Sequence, residues 1–288
     1  MKHALPLLAA VSLVSANALA ADPHDLHDEH DVQDVSRHRP HGTGHHHHGH
    51  AHPHADVTHP IITESPLPET HLRFDYVFAD GDEAKENTFV LSAEYAFTPE
   101  FSIEAVLPYS FIDGKDGEPD ADRIGDAIIA AKLATYRWAD DYNILPAIGL
   151  EVVLPTGNEE RGIGSDHVVE LEPFIRVGYW NGPFQLIGTL VAGIPLNQTD
   201  EEDAEEDWVL EYNLSALYHV TRDVQALLEL SGERVFGEEE EHVLTLTPGI
   251  TAQPFADKSI TVGVGVSVPV SNDKEFDYAV TVMTLIHF

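Results

Sequence analysis

The feature that most constrains this chain is a period-two alternation of apolar and polar residues that begins near His71 and runs to Phe288. Successive side chains of a strand point to opposite faces, so the pattern describes sheets with one apolar and one polar face. Leu72, Phe74, Tyr76 and Phe78 share one face, with Arg73 and Asp75 on the other. Phe89, Leu91, Ala93, Tyr95 and Phe97 oppose Ser92 and Glu94, and Phe101, Ile103, Ala105, Leu107, Tyr109 and Phe111 oppose Ser102 and Glu104. The alternation continues through 144–154, 169–179, 184–196, 208–220, 244–252, 260–270 and 276–288. Segments 126–138 and 224–234 fit less well, because Ala and Leu fall on both faces. The reading gives about 12 strands. Many exceed the ~5–6 residues usual in soluble sheets and reach the ~9–11 needed to cross a membrane at a tilt.

The connections are expected to alternate in length. Long ones are predicted near 79–87, 113–125, 156–166, 197–207, 236–241 and 271–275, and short ones at 98–100, 139–142, 181–183, 221–223 and 253–258. Long loops on one side and short turns on the other describe an outer-membrane barrel. Aromatics near strand ends, among them Tyr109, Trp138, Tyr142, Trp208 and Tyr218, suit the two lipid–water interfaces. A soluble sandwich would also alternate, but it leaves the strand length, the loop rhythm and the terminal Phe288 without a reason. The predicted fold is therefore all-β: a single transmembrane antiparallel up-and-down β-barrel with a disordered His-rich N-terminal arm.

Residues 1–20 read as a signal peptide, with Lys2 and His3, an apolar run from Ala4 to Val14 and the cleavage site Ala18-Leu19-Ala20. Residues 21–65 form the arm and 66–288 the barrel. The arm region holds thirteen of the nineteen histidines with interspersed Asp and Glu, and too little apolar bulk to build a core. The chain has no cysteine, which excludes disulfides, thiol catalysis and thiolate metal sites. Its 50 acidic against 15 basic residues give a formal net charge of −35 and exclude nucleic acid as a partner. Much of that charge falls in predicted loops such as 200–207 and 238–241, where solvated acidic loops are the plainer reading and binding of Ca or Mg near lipopolysaccharide the sharper one.

Val152-Val153-Leu154-Pro155-Thr156-Gly157-Asn158, followed by Gly162-Ile163-Gly164-Ser165-Asp166, resembles a strand end and loop of the barrel family labelled MetA-pathway of phenol degradation. Val191-Ala192-Gly193 and the final strand ending in Phe288 are in keeping with it. The resemblance covers roughly 65–288 and implies an outer-membrane channel or transporter without catalytic residues. The His-rich arm is not part of that pattern. The motif reads equally as a structured hairpin or as a loop folding across the barrel mouth.

Alternation assigns to the lumen Arg73, Asp75, Glu94, Glu104, Glu151, Glu170, Glu172, Arg176, Glu211, Asn213, Gln225, Glu229 and Glu233. Two readings stay open: unpaired carboxylates that favour cations, or Arg–Glu pairs around Arg73 and Arg176 that seal the passage. In the arm, His45, His46, His47, His48, His50, His52 and His54 are candidate ligands for labile Zn, Cu or Ni, with no cofactor required. The expected function is an outer-membrane channel for small solutes, linked to divalent metal through the arm. Arm and C-terminus would be periplasmic, and the strand ending in Phe288 would be read by the barrel assembly machinery. A metal-capturing protein without an open pore is the alternative. A barrel-type lipid hydrolase rests only on the consecutive Ser165-Asp166-His167, which implies no oriented triad; the expectation is no enzyme.

Overall fold

The computed structural model describes residues 57–115, 120–158, 163–165, 167–196, 206–237 and 241–288. The signal peptide, most of the arm with its seven candidate metal histidines, and the centre of the acidic loop 197–205 lie outside the described residues.

Strands follow one another around a closed antiparallel sheet: β1 (His71–Asp80), β2 (Ala84–Thr98), β3 (Phe101–Gly114), β4 (Ala121–Ile124), β5 (Ala127–Ala134), β6 (Ile144–Leu154), β7 (Glu170–Asn181), β8 (Phe184–Pro195), β9 (Glu206–His219), β10 (Val224–Gly237), β11 (Glu241–Ala252), β12 (Ile260–Pro269) and β13 (Tyr278–His287). The first and last strands pair from His71↔His287 to Asp80↔Tyr278, so no edge is left open. The thirteenth segment arises from a break. Strands β4 and β5 both pair with β3, but Tyr109↔Ile124 and Val106↔Ile128 differ in register by one residue. The two are halves of one spanning strand interrupted by a bulge at Gly125-Asp126. Twelve strands therefore close the barrel, and the all-β up-and-down architecture stands.

The alternation is realised as expected. Leu91, Leu107, Ile129, Ile148, Ile175, Leu190, Leu214, Leu228 and Val264 are exposed on the outer face. Their neighbours in sequence, such as Ser92, Ala130, Arg176, Ser215 and Glu229, are buried inside. An outward apolar surface is stable only in hydrocarbon. Exposed rings gather at both ends, with Phe97, Trp138, Tyr142 and Tyr218 at one and Phe111, Trp208 and Tyr278 at the other.

The loop rhythm is only partly kept. The connections predicted at 79–87 and 236–241 shrink, because β2 starts at Ala84, β10 runs to Gly237 and β11 starts at Glu241. Segment 126–138 is a strand to Ala134, followed by a 3-10 turn (Tyr136–Trp138) and a single helical turn (Ala139–Tyr142), so the turn predicted at 139–142 is longer. We call the end bearing Leu154, Glu170 and Pro195 the loop rim and the opposite end the turn rim. Both ends of the barrel, His71 and His287, lie on the turn rim.

The predicted arm reached residue 65, but residues 57–65 are inside the barrel. Val57, Ile61, Ile62 and Leu67 are buried in one cluster with Ala134, Leu145, Ala147, Trp180, Ile187, Leu217 and Leu227 of the wall. The physical reason is apolar content: Pro60-Ile61-Ile62 breaks the polar composition of the arm and supplies surface worth burying.

Candidate functional site: a lumen filled by the segment before the first strand

Residues 57–70 enter at the turn rim, reach inward to Ile61–Thr63, and return to the rim to start β1. Three features of the wall seat them. The first is glycine. On β12, Val262, Val264 and Val266 face outward while Gly263 and Gly265 face inward. A Cβ at Gly249 would stand 2.7 Å from Ile61 Cδ1, and one at Gly263 3.1 Å from Ile61 Cγ1. A Cβ at Gly178 would stand 3.1 Å from both Val57 and Pro66. The wall is hollowed where the segment lies. The second is Glu229, fully buried on β10, whose carboxylate accepts the backbone N–H groups of Ile61 (2.9 Å), Ile62 (2.9 Å) and Thr63 (2.7 Å). The third is Arg73, which donates to the Ile61 carbonyl at 2.5 Å and to Asp75 at 2.7 Å.

Glu64 then bridges the lumen cations, 3.6 Å from Arg73 and 3.9 Å from Arg176. Arg176 also donates to Glu151 at 2.6 Å. Lys132 donates to Glu94 at 2.9 Å and to the Ser65 carbonyl at 3.2 Å. The segment is held by charge-assisted hydrogen bonds as well as by packing.

Of the lumen residues expected from sequence, Arg73, Asp75, Glu94, Glu104, Glu151, Glu172, Arg176, Glu211, Gln225 and Glu229 are buried on the inner face. Glu170, Asn213 and Glu233 are half-buried. Arg73, Arg176, Glu94, Glu151 and Glu229 come together around the inserted segment. Glu170, Glu172 and Glu211 lie beyond it toward the loop rim. Lys132 was missed because it sits in the stretch whose alternation was blurred. Glu64 and Glu69 were missed because they fell at or next to the assumed end of the arm.

The signature loop is fastened by Asp126 at the bulge between β4 and β5. Its carboxylate accepts from Gly157 N–H at 2.8 Å and Ser165 N–H at 2.6 Å. Thr156 Oγ1 accepts from Ala127 N–H and donates to the Gly125 carbonyl, both at 2.8 Å. Gly164 has φ +64, and a Cβ there would collide with Asp126. The loop is thus a strap tied to the bulge. Ser165 Oγ accepts from His167 N–H (3.3 Å) and Val168 N–H (2.9 Å), which makes it part of the turn. Asp166 lies outside the described residues.

The family model described as MetA-pathway of phenol degradation matches residues 72–281. The chain belongs to this family. Among solved structures, the chain is similar to an outer membrane channel from Pseudomonas putida F1, with TM-score 0.66 and 14% identity over 81% of this chain and 100% of that one. It is also similar to the NanC porin (TM-score 0.51, 11% identity, 76% of this chain and 98% of that one). The KdgM porin in complex with oligogalacturonate gives TM-score 0.50 and 9% identity over 76% and 99%. No curated protein matches the chain. At these identities the likeness concerns the fold: a barrel of the outer-membrane type.

Proposed function

We propose that this member of the family is an outer-membrane channel for small solutes, with a lean toward cations, whose passage is closed from the turn rim by residues 57–70. The observation that carries the reading is the seat of that segment: glycines hollowed for Ile61 and one buried carboxylate on three consecutive amides. A lumen meant to be permanently solid would need no separate stopper. The cation lean rests on Glu170, Glu172 and Glu211, which line the lumen beyond the plug and raise local cation occupancy.

Outer-membrane barrels carry their long loops outside and their short turns in the periplasm. On this reading the plug, the arm and the C-terminus face the periplasm, after export on residues 1–20. The strand ending in Phe288 is the part offered to the barrel assembly machinery, and the acidic loop rim meets lipopolysaccharide through divalent cations.

The test is planar-bilayer conductance of the full chain against a chain lacking residues 22–66, with heat-modifiable gel migration reporting a closed barrel for both. The full chain should conduct rarely and the shortened chain steadily, with a reversal potential of the cation-selective sign. Two closed barrels that never conduct would remove the channel reading. That outcome would favour the second reading, a metal-capturing protein without an open pore, which His59 and His287, 2.9 Å and 3.3 Å from Glu69 at the turn rim, support.

A further inference from the structure

Where the plug meets the turn rim, two histidines stand on one carboxylate and a third packs beside them. His59 Nε2 stands 2.9 Å from Glu69 Oε2, and His287 Nδ1 stands 3.3 Å from the same oxygen. The rings of His59 and His71 are 5.0 Å apart in a T-shaped arrangement, and those of His59 and His287 are 5.8 Å apart. One ligand atom from each of His59, Glu69 and His71 can be chosen so that all lie within 4.8 Å of one another. His59 and His71 are both more than nine-tenths buried, and His71 Nδ1, without a hydrogen-bond partner, stands 3.9 Å from Glu94 Oε2.

We propose that His59, Glu69 and His71 form a site for a first-row divalent metal of the zinc class, inside the barrel at the foot of the plug. Two imidazoles and one carboxylate are a ligand set that such ions accept, with a fourth position left open. Four-coordinate ligands at ~2 Å from an ion lie roughly 3.3 Å from one another, so modest side-chain rotations close the site. His287 fits as the outer partner that orients the Glu69 carboxylate. A simple ion pair to Glu69 would need one histidine; two stand on its carboxylate and a third buried imidazole packs edge-on against His59, which a structural pairing leaves without a reason.

The site is reachable. A cavity at the turn rim is lined by Thr58, His59, Glu69, His219, Gln225 and His287. The plug begins directly after the His-rich sequence, so metal held loosely there is delivered at the foot of the site. A bound ion would tie the plug residues His59 and Glu69 to His71 of β1 and make the plug leave less readily. That consequence rests on the channel reading; the binding site does not.

The experiment is an optical titration with Co2+ on the full-length protein in detergent. The twelve arm histidines from His24 to His54 are replaced by Ser in this background, so that they do not compete. Four-coordinate Co2+ on imidazole and carboxylate absorbs visibly where the aquo ion does not. The expected result is one Co2+ per chain, displaced by one Zn2+. The band should be lost in His59→Ala and in Glu69→Gln and kept in Gln253→Ala, with heat-modifiable migration reporting a closed barrel for each. No band in a closed barrel, or a band that survives both ligand variants, overturns the site. In bilayers, Zn2+ should suppress openings of this protein and not those of its His59→Ala variant; openings indifferent to Zn2+ overturn the tie between metal and plug. A protein that conducts and shows no band sinks the site and leaves the channel. One that shows the band and never conducts does the reverse.

Discussion

The two halves of the lumen are built on different physics. Toward the turn rim the inner face carries Leu145, Ala147, Ile187, Leu217 and Leu227 together with inward glycines, and it encloses a polypeptide. Toward the loop rim the inner face carries Glu172 and Glu211, with Glu170 and Glu233 half-buried beside them. The first half behaves as a protein core, in which fit and satisfied amides decide stability. The second behaves as a charged passage, in which the field decides what enters. A barrel of this family therefore need not have one kind of interior.

The largest effect should come from removing the buried carboxylate that seats the plug. Glu229→Ala leaves the amides of Ile61, Ile62 and Thr63 without their acceptor. Each buried unsatisfied group costs about 1–3 kcal/mol, so the seated plug loses at least ~3 kcal/mol. Since 1.4 kcal/mol is tenfold, the open fraction should rise roughly a hundredfold, read as single-channel open probability. An unchanged open probability would mean that Glu229 does not hold the stopper.

A smaller effect on the same half should follow from filling the hollow. In Gly249→Val the new Cβ would lie 2.7 Å from Ile61 Cδ1 and 2.9 Å from the Val264 carbonyl oxygen. Overpacking of this kind costs about 1–3 kcal/mol. Openings should become more frequent, by less than in Glu229→Ala, while the barrel stays closed by gel migration. A variant that opens more than Glu229→Ala would mean that fit outweighs charge in holding the plug.

The charged half should respond in selectivity instead of gating. Glu172→Gln with Glu211→Gln replaces two inward carboxyl groups beyond the plug. The reversal potential in a salt gradient should move toward zero with open probability unchanged. A shift in gating without a shift in selectivity would erase the distinction between the halves.

How far the sequence foretold this arrangement differs between the same two regions. The outer face was legible because lipid imposes apolar residues on every second position, as in Val262, Val264 and Val266. The charged half was legible for the converse reason. In the plugged half the charged side chains Arg73, Glu94, Arg176 and Glu229 were legible but the inserted segment was not, because part of the wall that receives it is apolar on both faces. That is why 126–138 and 224–234, which hold Ala134 and Leu227, broke the alternation. The misfit was itself the signal of a buried partner. Alternating glycines such as Gly263 and Gly265 signalled a close approach in the same way, but a strand pattern alone does not say what approaches. The bulge at Gly125-Asp126 was hidden because its reason, the strap tied to Asp126, is a contact between distant segments.

The smallest expected effect lies at the loop rim, where charge and loop packing meet. Glu275, in the connection between β12 and β13, is pushed up to about 8, first by burial and then by Glu233, Glu241 and Glu86. Its neighbour Phe276 is buried against Val77, Ala79 and Ala279, and Asp277 N–H donates to the Asp80 carbonyl at 2.7 Å. An acid whose value is raised in the folded loop binds more protons there than when the loop is released. The packed loop is therefore favoured most below the ordinary carboxylate range. It loses that advantage progressively as pH rises through about 8, where Glu275 ionises among like charges. Hydrogen exchange at the Asp277 amide, corrected for its intrinsic pH dependence, should accelerate between pH 6 and pH 9. In Glu275→Gln, which cannot ionise, the acceleration should vanish, while the plugged half shows no change in either protein. If the variant keeps the same pH response, the acidic rim does not act through Glu275, and loop packing around Phe276 alone sets its order.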